Sequence, residues 1–123
     1  MHKLANKLSQ ATLCSGDQGK FWEMRDRILM DQKTLKIEDV PKYTAELGLK
    51  EDLFQQCLDS GKYASHVATD TAEAQKAGVT SVPNFLLGFT EPDGKVRAVK
   101  MIKGAQPFQV FKETIDTMLN AGK

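Results

Sequence analysis

Gly78-Val79-Thr80-Ser81-Val82-Pro83-Asn84-Phe85-Leu86-Leu87 is the stretch on which the fold turns. A helical region precedes it and the clearest hairpin signal in the chain follows it. Pro83 opens an apolar run, and the first residue of a strand is one of the few places where a sheet accepts proline. Proline is also the residue at which a cis peptide bond is cheap, about 0.5–1 kcal/mol against roughly 2.5–4 kcal/mol elsewhere. The Val82-Pro83 bond is therefore the candidate for a cis turn at the entrance to a sheet.

Working outward, 123 residues suit one domain with a modest core. The formal net charge is +1, with lysines and acids interleaved, so no strong field favours nucleic acid or an anionic membrane. The apolar runs are too short to span a bilayer, and Met1-His2-Lys3-Leu4-Ala5-Asn6-Lys7 is not followed by the continuous apolar segment of a secretory signal. Two cysteines and two histidines make a poor zinc set, and Cys14 and Cys57 form no C-x-x-C pair. No metal and no other cofactor is expected.

Upstream, the apolar period is helical. Leu4, Leu8 and Ala11 form a stripe over Lys3 to Ser15, with Cys14 at its flank. Ser15-Gly16-Asp17 breaks that helix, and Asp17 is placed to cap the next. From Gln18 to about Asp31, Phe21, Trp22, Met24, Ile28 and Leu29 share a broad face. Arg25 lies within it and is read as snorkelling past aromatic packing rather than as a ligand contact. Glu38 or Asp39 starts a short third helix, with Pro41 in its first turn, Gly48 as its left-handed stop and Leu49 packing back. A fourth helix, Glu51 to Asp59, presents Leu53, Phe54, Cys57 and Leu58 and ends at Ser60-Gly61. A fifth, about Lys62 to Ala77, carries Tyr63, Val67, Ala74 and Ala77 and stops at Gly78. Asp70, on the same face, is read as a structural carboxylate.

Downstream, the period changes. Pro83 to Thr90 has strand length, Glu91-Pro92-Asp93-Gly94 is a turn signature, and Val96 to Ile102 alternates. That alternation puts Val96, Ala98, Lys100 and Ile102 on one face and Arg97, Val99, Met101 and Lys103 on the other. Gly104-Ala105-Gln106-Pro107 leads into a last helix with Phe108, Phe111, Ile115 and Leu119 on one side. Helix, proline turn, antiparallel hairpin, glycine and terminal helix follow in the order of the C-terminal half of a thioredoxin fold.

Four blocks make the resemblance specific. Ala11-Thr12-Leu13-Cys14 with Asp17-Gln18-Gly19-Lys20-Phe21-Trp22-Glu23-Met24 resembles the helical insertion of bacterial DsbA-like thioredoxin domains. Phe54-Gln55-Gln56-Cys57-Leu58-Asp59-Ser60-Gly61-Lys62-Tyr63, the Gly78–Phe85 turn, and Gly104-Ala105-Gln106-Pro107-Phe108 resemble the same family. The expected fold class is α/β and thioredoxin-like, N-terminally truncated, so that it is mostly α-helical with one antiparallel hairpin. Residues 1–123 then form a single incomplete domain: a helical insertion over about 1–77, and the proline turn, hairpin and last helix over about 78–123.

The resemblance implies a thiol–disulfide oxidoreductase of the bacterial periplasm or envelope, acting on protein thiols and disulfides. It implies that Pro83 is the cis-proline beside the reactive dithiol, and that Val82 offers backbone groups to an extended substrate peptide. The departure from the family is the β-α-β unit bearing the C-x-x-C, which is not in these residues. That chemistry needs a low-pKa thiolate at a helix N-terminus with a resolving thiol one turn away, and Cys14 and Cys57, on or beside apolar helix faces, do not supply it. No catalytic residue is assigned. Met1-His2 resembles the point where family members read proline, a small apolar residue and histidine, so Met1 is expected to be an internal methionine or a fragment edge.

Two readings of function follow: the groove and helical part of a DsbA-like oxidoreductase, inactive alone, or a non-catalytic thioredoxin-like module that binds peptides or a protein partner. A glutathione-using relative is a lesser third, with no residue marking a tripeptide site. Cys14 and Cys57 are expected to form a structural disulfide, because each lies on an inward part of its helix and some relatives carry a second disulfide in this region. Two buried free thiols are the alternative. Finally, the Pro83–Thr90 strand is expected to have one edge unpaired and to form a homodimer through it, with a monomer closed by the first helix as the competing outcome.

Overall fold

The structure is a computed structural model that describes residues 3–121, so Met1 and His2, and the reading placed on them, lie outside the described residues. The chain divides into two compact units, Met1–Glu73 and Ala74–Lys123, with the boundary inside a helix. Each is built by its own logic.

The first unit is helical: α1 (Lys3–Gly16), α2 (Phe21–Met30), a 3₁₀ turn (Ile37–Asp39), α3 (Val40–Glu46), α4 (Glu51–Asp59) and most of α5 (Ala64–Lys76). Its core joins Ala11 and Cys14 of α1 to Met24 and Ile28 of α2, Val40 and Tyr43 of α3, Leu49, and Phe54 of α4. Burying a side chain such as Phe54 removes it from water at a gain of about 1.5–3 kcal/mol. The hydroxyls on the inward side of α1 are satisfied locally. Thr12 donates to the Leu8 carbonyl at 2.8 Å and Ser15 to that of Ala11 at 2.9 Å.

The glycine stop of α3 is built as read. Gly48 has φ of 70°, its N–H donates to the Ala45 carbonyl, and the Leu49 N–H reaches back to that of Thr44. That pair of bonds satisfies the orphan carbonyls of the last turn and brings Leu49 down onto the core.

Three readings in this unit are corrected. Asp17 does not cap α2. The residue before α2 is Lys20, which makes no side-chain cap, and the chain turns there through Gly19 at φ 73°. The broad face of α2 is buried only at Met24 and Ile28, while Trp22 and Leu29 are exposed. Arg25 lies over the Trp22 ring at 5.7 Å and pairs with Asp26 in solvent, in keeping with the snorkelling reading. Asp70 is exposed on α5 beside His66, at 3.3 Å, and holds no core position.

In the second unit β1 (Asn84–Thr90) pairs antiparallel with β2 (Val96–Lys103), and α6 runs over Phe108–Ala121. The turn closes through Gly94 N–H to Glu91 carbonyl (2.9 Å) and Glu91 N–H to Lys95 carbonyl (2.8 Å). Phe85 meets Phe111 of α6 edge-on, with ring centroids 4.9 Å apart.

The strict alternation read for β2 fails at one point. Leu87 pairs with Lys100 but Gly88 pairs with Ala98, so Val99 is the extra residue of a bulge. The bulge presses the strands together at Gly88, where an added Cβ would lie 2.3 Å from the Arg97 carbonyl oxygen. Backbone stands there, so only glycine fits. The apolar side of α6 is largely uncovered: Phe111 is partly buried, whereas Phe108, Ile115 and Leu119 are exposed.

Candidate functional site

Two places carry the residues singled out in the sequence, one in each unit. In the second unit, the Val82-Pro83 peptide bond is cis. The turn is fastened on both sides of it. The Pro83 carbonyl accepts from the Gly104 N–H at 2.8 Å, tying the entrance of β1 to the exit of β2, and the Asn84 side-chain amide donates to the Ser81 carbonyl. Val82 takes part in none of the backbone bonds that hold the turn, and the residue is 89% exposed. A fixed turn thus presents an unengaged residue directly before β1. The sheet has two strands, so β1 is hydrogen-bonded to β2 on one side and, among the described residues, to no strand on the other.

In the first unit, Cys14 of α1 and Cys57 of α4 are joined as a disulfide, with Cα atoms 5.9 Å apart. Both sulfurs are engaged and the described residues hold no free thiol. The pair is unequal in exposure: Cys14 is 1% exposed, while Cys57 is only partly buried.

Beside Cys57 stands a charged cluster that the sequence reading did not assemble. Asp17 accepts from the Lys62 ammonium at 2.6 Å and from the Tyr63 hydroxyl, and its Oδ2 lies 3.8 Å from Cys57 Sγ. A disulfide sulfur carries no proton, so this last approach is a contact rather than a hydrogen bond. Gln18, next in sequence, clamps the start of α4: its amide accepts from the Lys50 N–H (2.8 Å) and donates to the Lys50 carbonyl (3.2 Å). Together these contacts tie the α1–α2 turn to both ends of α4.

The hydrogen bond from Lys62, reinforced by Tyr63, holds the Asp17 carboxyl below the ordinary carboxylate range. The same bonds to Asp17 push the Lys62 ammonium and the Tyr63 hydroxyl upward. A depressed carboxylate contributes stability that is fully present above its unfolded value of 3.8 and is lost as the pH falls through the folded one. The raised Tyr63 contributes below its unfolded value of 10.0 and loses it as the pH rises. We therefore expect Asp17→Asn to cost stability at neutral pH and to cost progressively less below pH 3.8. Urea midpoints of the two proteins across that range check it, and a difference that stays constant into acid contradicts it.

A second network, Arg27 with Asp31 (2.6 Å) and Glu46 (2.9 Å), and Tyr43 donating to Asp31 (2.6 Å), fastens α2 to α3. Burial, with the Asp31 bond behind it, pushes the Tyr43 hydroxyl up to about 12, so it is neutral and structural at physiological pH. Among the described residues no group of acidic, histidine or cysteine side chains is placed to hold a metal ion, and no helix is long and apolar enough to cross a membrane.

Comparison with known proteins gives the family. The chain is similar to the Na(+)/H(+) antiporter NhaA 1 of Salinispora arenicola, at 33% identity over 87 residues, covering 71% of this chain and 13% of that protein. It is similar to the antiporter NhaA 3 of Salinispora tropica at 31% over the same span and shares, and to NhaA 1 of Mycolicibacterium vanbaalenii at 24% over 107 residues, covering 85% and 17%. The chain thus spans less than a fifth of the length of these curated relatives. No solved structure matches it. The model of the DSBA-like thioredoxin domain matches residues 2–116, nearly the whole sequence and both compact units, and the chain belongs to that family.

Proposed function

We propose that the chain is the helical and substrate-groove part of a DsbA-like thiol–disulfide oxidoreductase of the bacterial periplasm or envelope, acting on protein thiols and disulfides. These residues contain no C-x-x-C, and both cysteines are tied to each other, so no turnover is expected from them alone. The observation that carries the reading is the fixed turn at Pro83, which leaves Val82 free beside the unpaired edge of β1. An extended peptide laid beside the turn would exchange main-chain hydrogen bonds with Val82, as strand addition does elsewhere.

Two measurements test it. Insulin reduction by the 123-residue chain is expected at the uncatalysed rate. Turnover abolished by Cys14→Ser or Cys57→Ser in a folded protein would refute a structural, non-catalytic disulfide. A cysteine-containing extended peptide is expected to shift backbone amide resonances at Val82 and its neighbours in the Gly78–Phe85 turn. Shifts confined to the helical unit would refute the groove.

The alternative, a non-catalytic thioredoxin-like module that binds a peptide or protein, is favoured by one finding. The matching relatives bear the names of Na(+)/H(+) antiporters, so the domain there accompanies a protein named for another activity. For the 123-residue chain on its own, we propose that a second copy covers the β1 edge, in a homodimer through the Pro83–Thr90 strand.

A further inference from the structure

We propose that Cys57 Sγ is the point at which small thiols enter the Cys14–Cys57 disulfide, and that the Asp17 carboxylate beside it selects against negatively charged ones. The disulfide floors a shallow cleft of about 390 Å³, walled by Gln18, Leu53, Gln56, Ser60 and Lys62. Exchange requires a thiolate to approach one sulfur along the S–S axis. Cys14 is buried within the α1 core, which blocks that approach. Both cysteines line the cleft, but Cys57 is only partly buried, on the margin of the same core, so its sulfur is the one left open to attack. The entry is therefore regioselective.

The balance of the step is simple. A thiolate bonds to Cys57 Sγ as the bond to Cys14 Sγ breaks, and the electron pair leaves on Cys14 Sγ, which takes a proton from solvent. A second molecule of the same thiol attacks the outer sulfur of the mixed disulfide and releases Cys57. Two small thiols are oxidised to their disulfide, and the protein disulfide is reduced to two thiols.

Asp17 bears on the first step. Its Oδ2 lies 3.8 Å from the sulfur under attack, and the Lys62 and Tyr63 bonds keep the carboxylate in place. Lys62 offsets part of the charge, its ammonium lying 2.6 Å from that same oxygen, so the screening is modest and reads out as a difference between thiols. A negative charge at that point repels an incoming thiolate, and repels one bearing a second negative charge more strongly. Asp17 acts here as a positioning and screening residue rather than as a catalytic one.

The test is reduction of the oxidised chain by cysteamine, 2-mercaptoethanol and 3-mercaptopropionate, with each rate normalised to thiolate concentration and divided by the same thiolate's rate on a small uncharged disulfide, which removes its intrinsic nucleophilicity. The expected order is cysteamine fastest and mercaptopropionate slowest. Asp17→Asn keeps the side chain's size and acceptor, and is expected to raise the mercaptopropionate rate about two- to fivefold while narrowing the spread. Acid quenching, alkylation and peptide mapping are expected to find the adduct on Cys57 and the alkylated thiol on Cys14. An adduct on Cys14, or no reduction without denaturant, overturns the entry point. Equal acceleration of all three thiols in Asp17→Asn would mean mere loosening and overturns the screening role.

Discussion

Replacing Cys14 and Cys57 together by alanine is expected to lower the stability of the Met1–Glu73 unit by roughly 4 kcal/mol. The bridge spans 43 residues of sequence, and chain-entropy accounting for a loop of that length gives about that figure. Alanine is the informative replacement, because serine would bury a polar hydroxyl at position 14, where the present side chain is 1% exposed. The effect should be global within the unit. Cys14 lies in the same core as Met24 and Phe54, and the Asp17 and Gln18 contacts bind the same pair of segments that the bridge joins. Urea unfolding followed by helical circular dichroism measures it. A loss below about 1 kcal/mol, the scale of a single ordinary hydrogen bond, would mean that the bridge does not hold α1 to α4 in the mature protein. Two titratable thiols in protein matured under oxidising conditions would say the same.

Local rules located most of the elements, because the signals that end them are local. Gly48, Gly61 and Gly78 all take the left-handed conformation that halts a helix, and each stands where a helical period stops. The hairpin was legible for the same reason, its turn being written in Pro92, Asp93 and Gly94. What was hidden depends on distant partners. Asp17 reads as a cap from its neighbours, but its partners are Lys62 and Tyr63, 45 and 46 residues away, and a multiply bonded carboxylate outcompetes a local cap. The bulge left one signal that the alternation reading passed over. A glycine inside an apolar strand often marks close backbone approach, and Gly88 does so here. Periodicity also identifies an apolar face without saying what covers it, and so Trp22, Phe108 and Leu119 are apolar on schedule yet exposed. Of the candidate site, Pro83 and its turn were readable from the residues. The pairing of Cys14 with Cys57 needed family resemblance beside the inward position of both, since spacing alone left free thiols open.

The homodimer proposed through the Pro83–Thr90 strand predicts that Leu86→Lys leaves only a monomer at micromolar concentration. β1 carries Asn84-Phe85-Leu86-Leu87-Gly88-Phe89, with no charge and no proline inside the strand to discourage pairing, and among the described residues only one of its edges is hydrogen-bonded. A two-stranded sheet is marginal in water without further strands or cover. In this unit Phe85 is 41% and Leu86 48% exposed, and Ile102 is the one residue of the hairpin that is buried. Pairing β1 with its own copy about a two-fold axis would satisfy the free backbone groups and remove these side chains from water in one contact. Leu86 is the better probe of the two. It pairs across the strands with Met101, whereas Phe85 stacks on Phe111 and its loss would also loosen α6. Lysine at a sheet edge is a device by which natural strands refuse partners, so the substitution strikes association while leaving the β1–β2 register intact. Light scattering should report half the mass with unchanged helical circular dichroism. A monodisperse monomer of the unsubstituted chain at the same concentration and with the same helicity removes the dimer, and leaves the β1 edge for a peptide or another protein to cover.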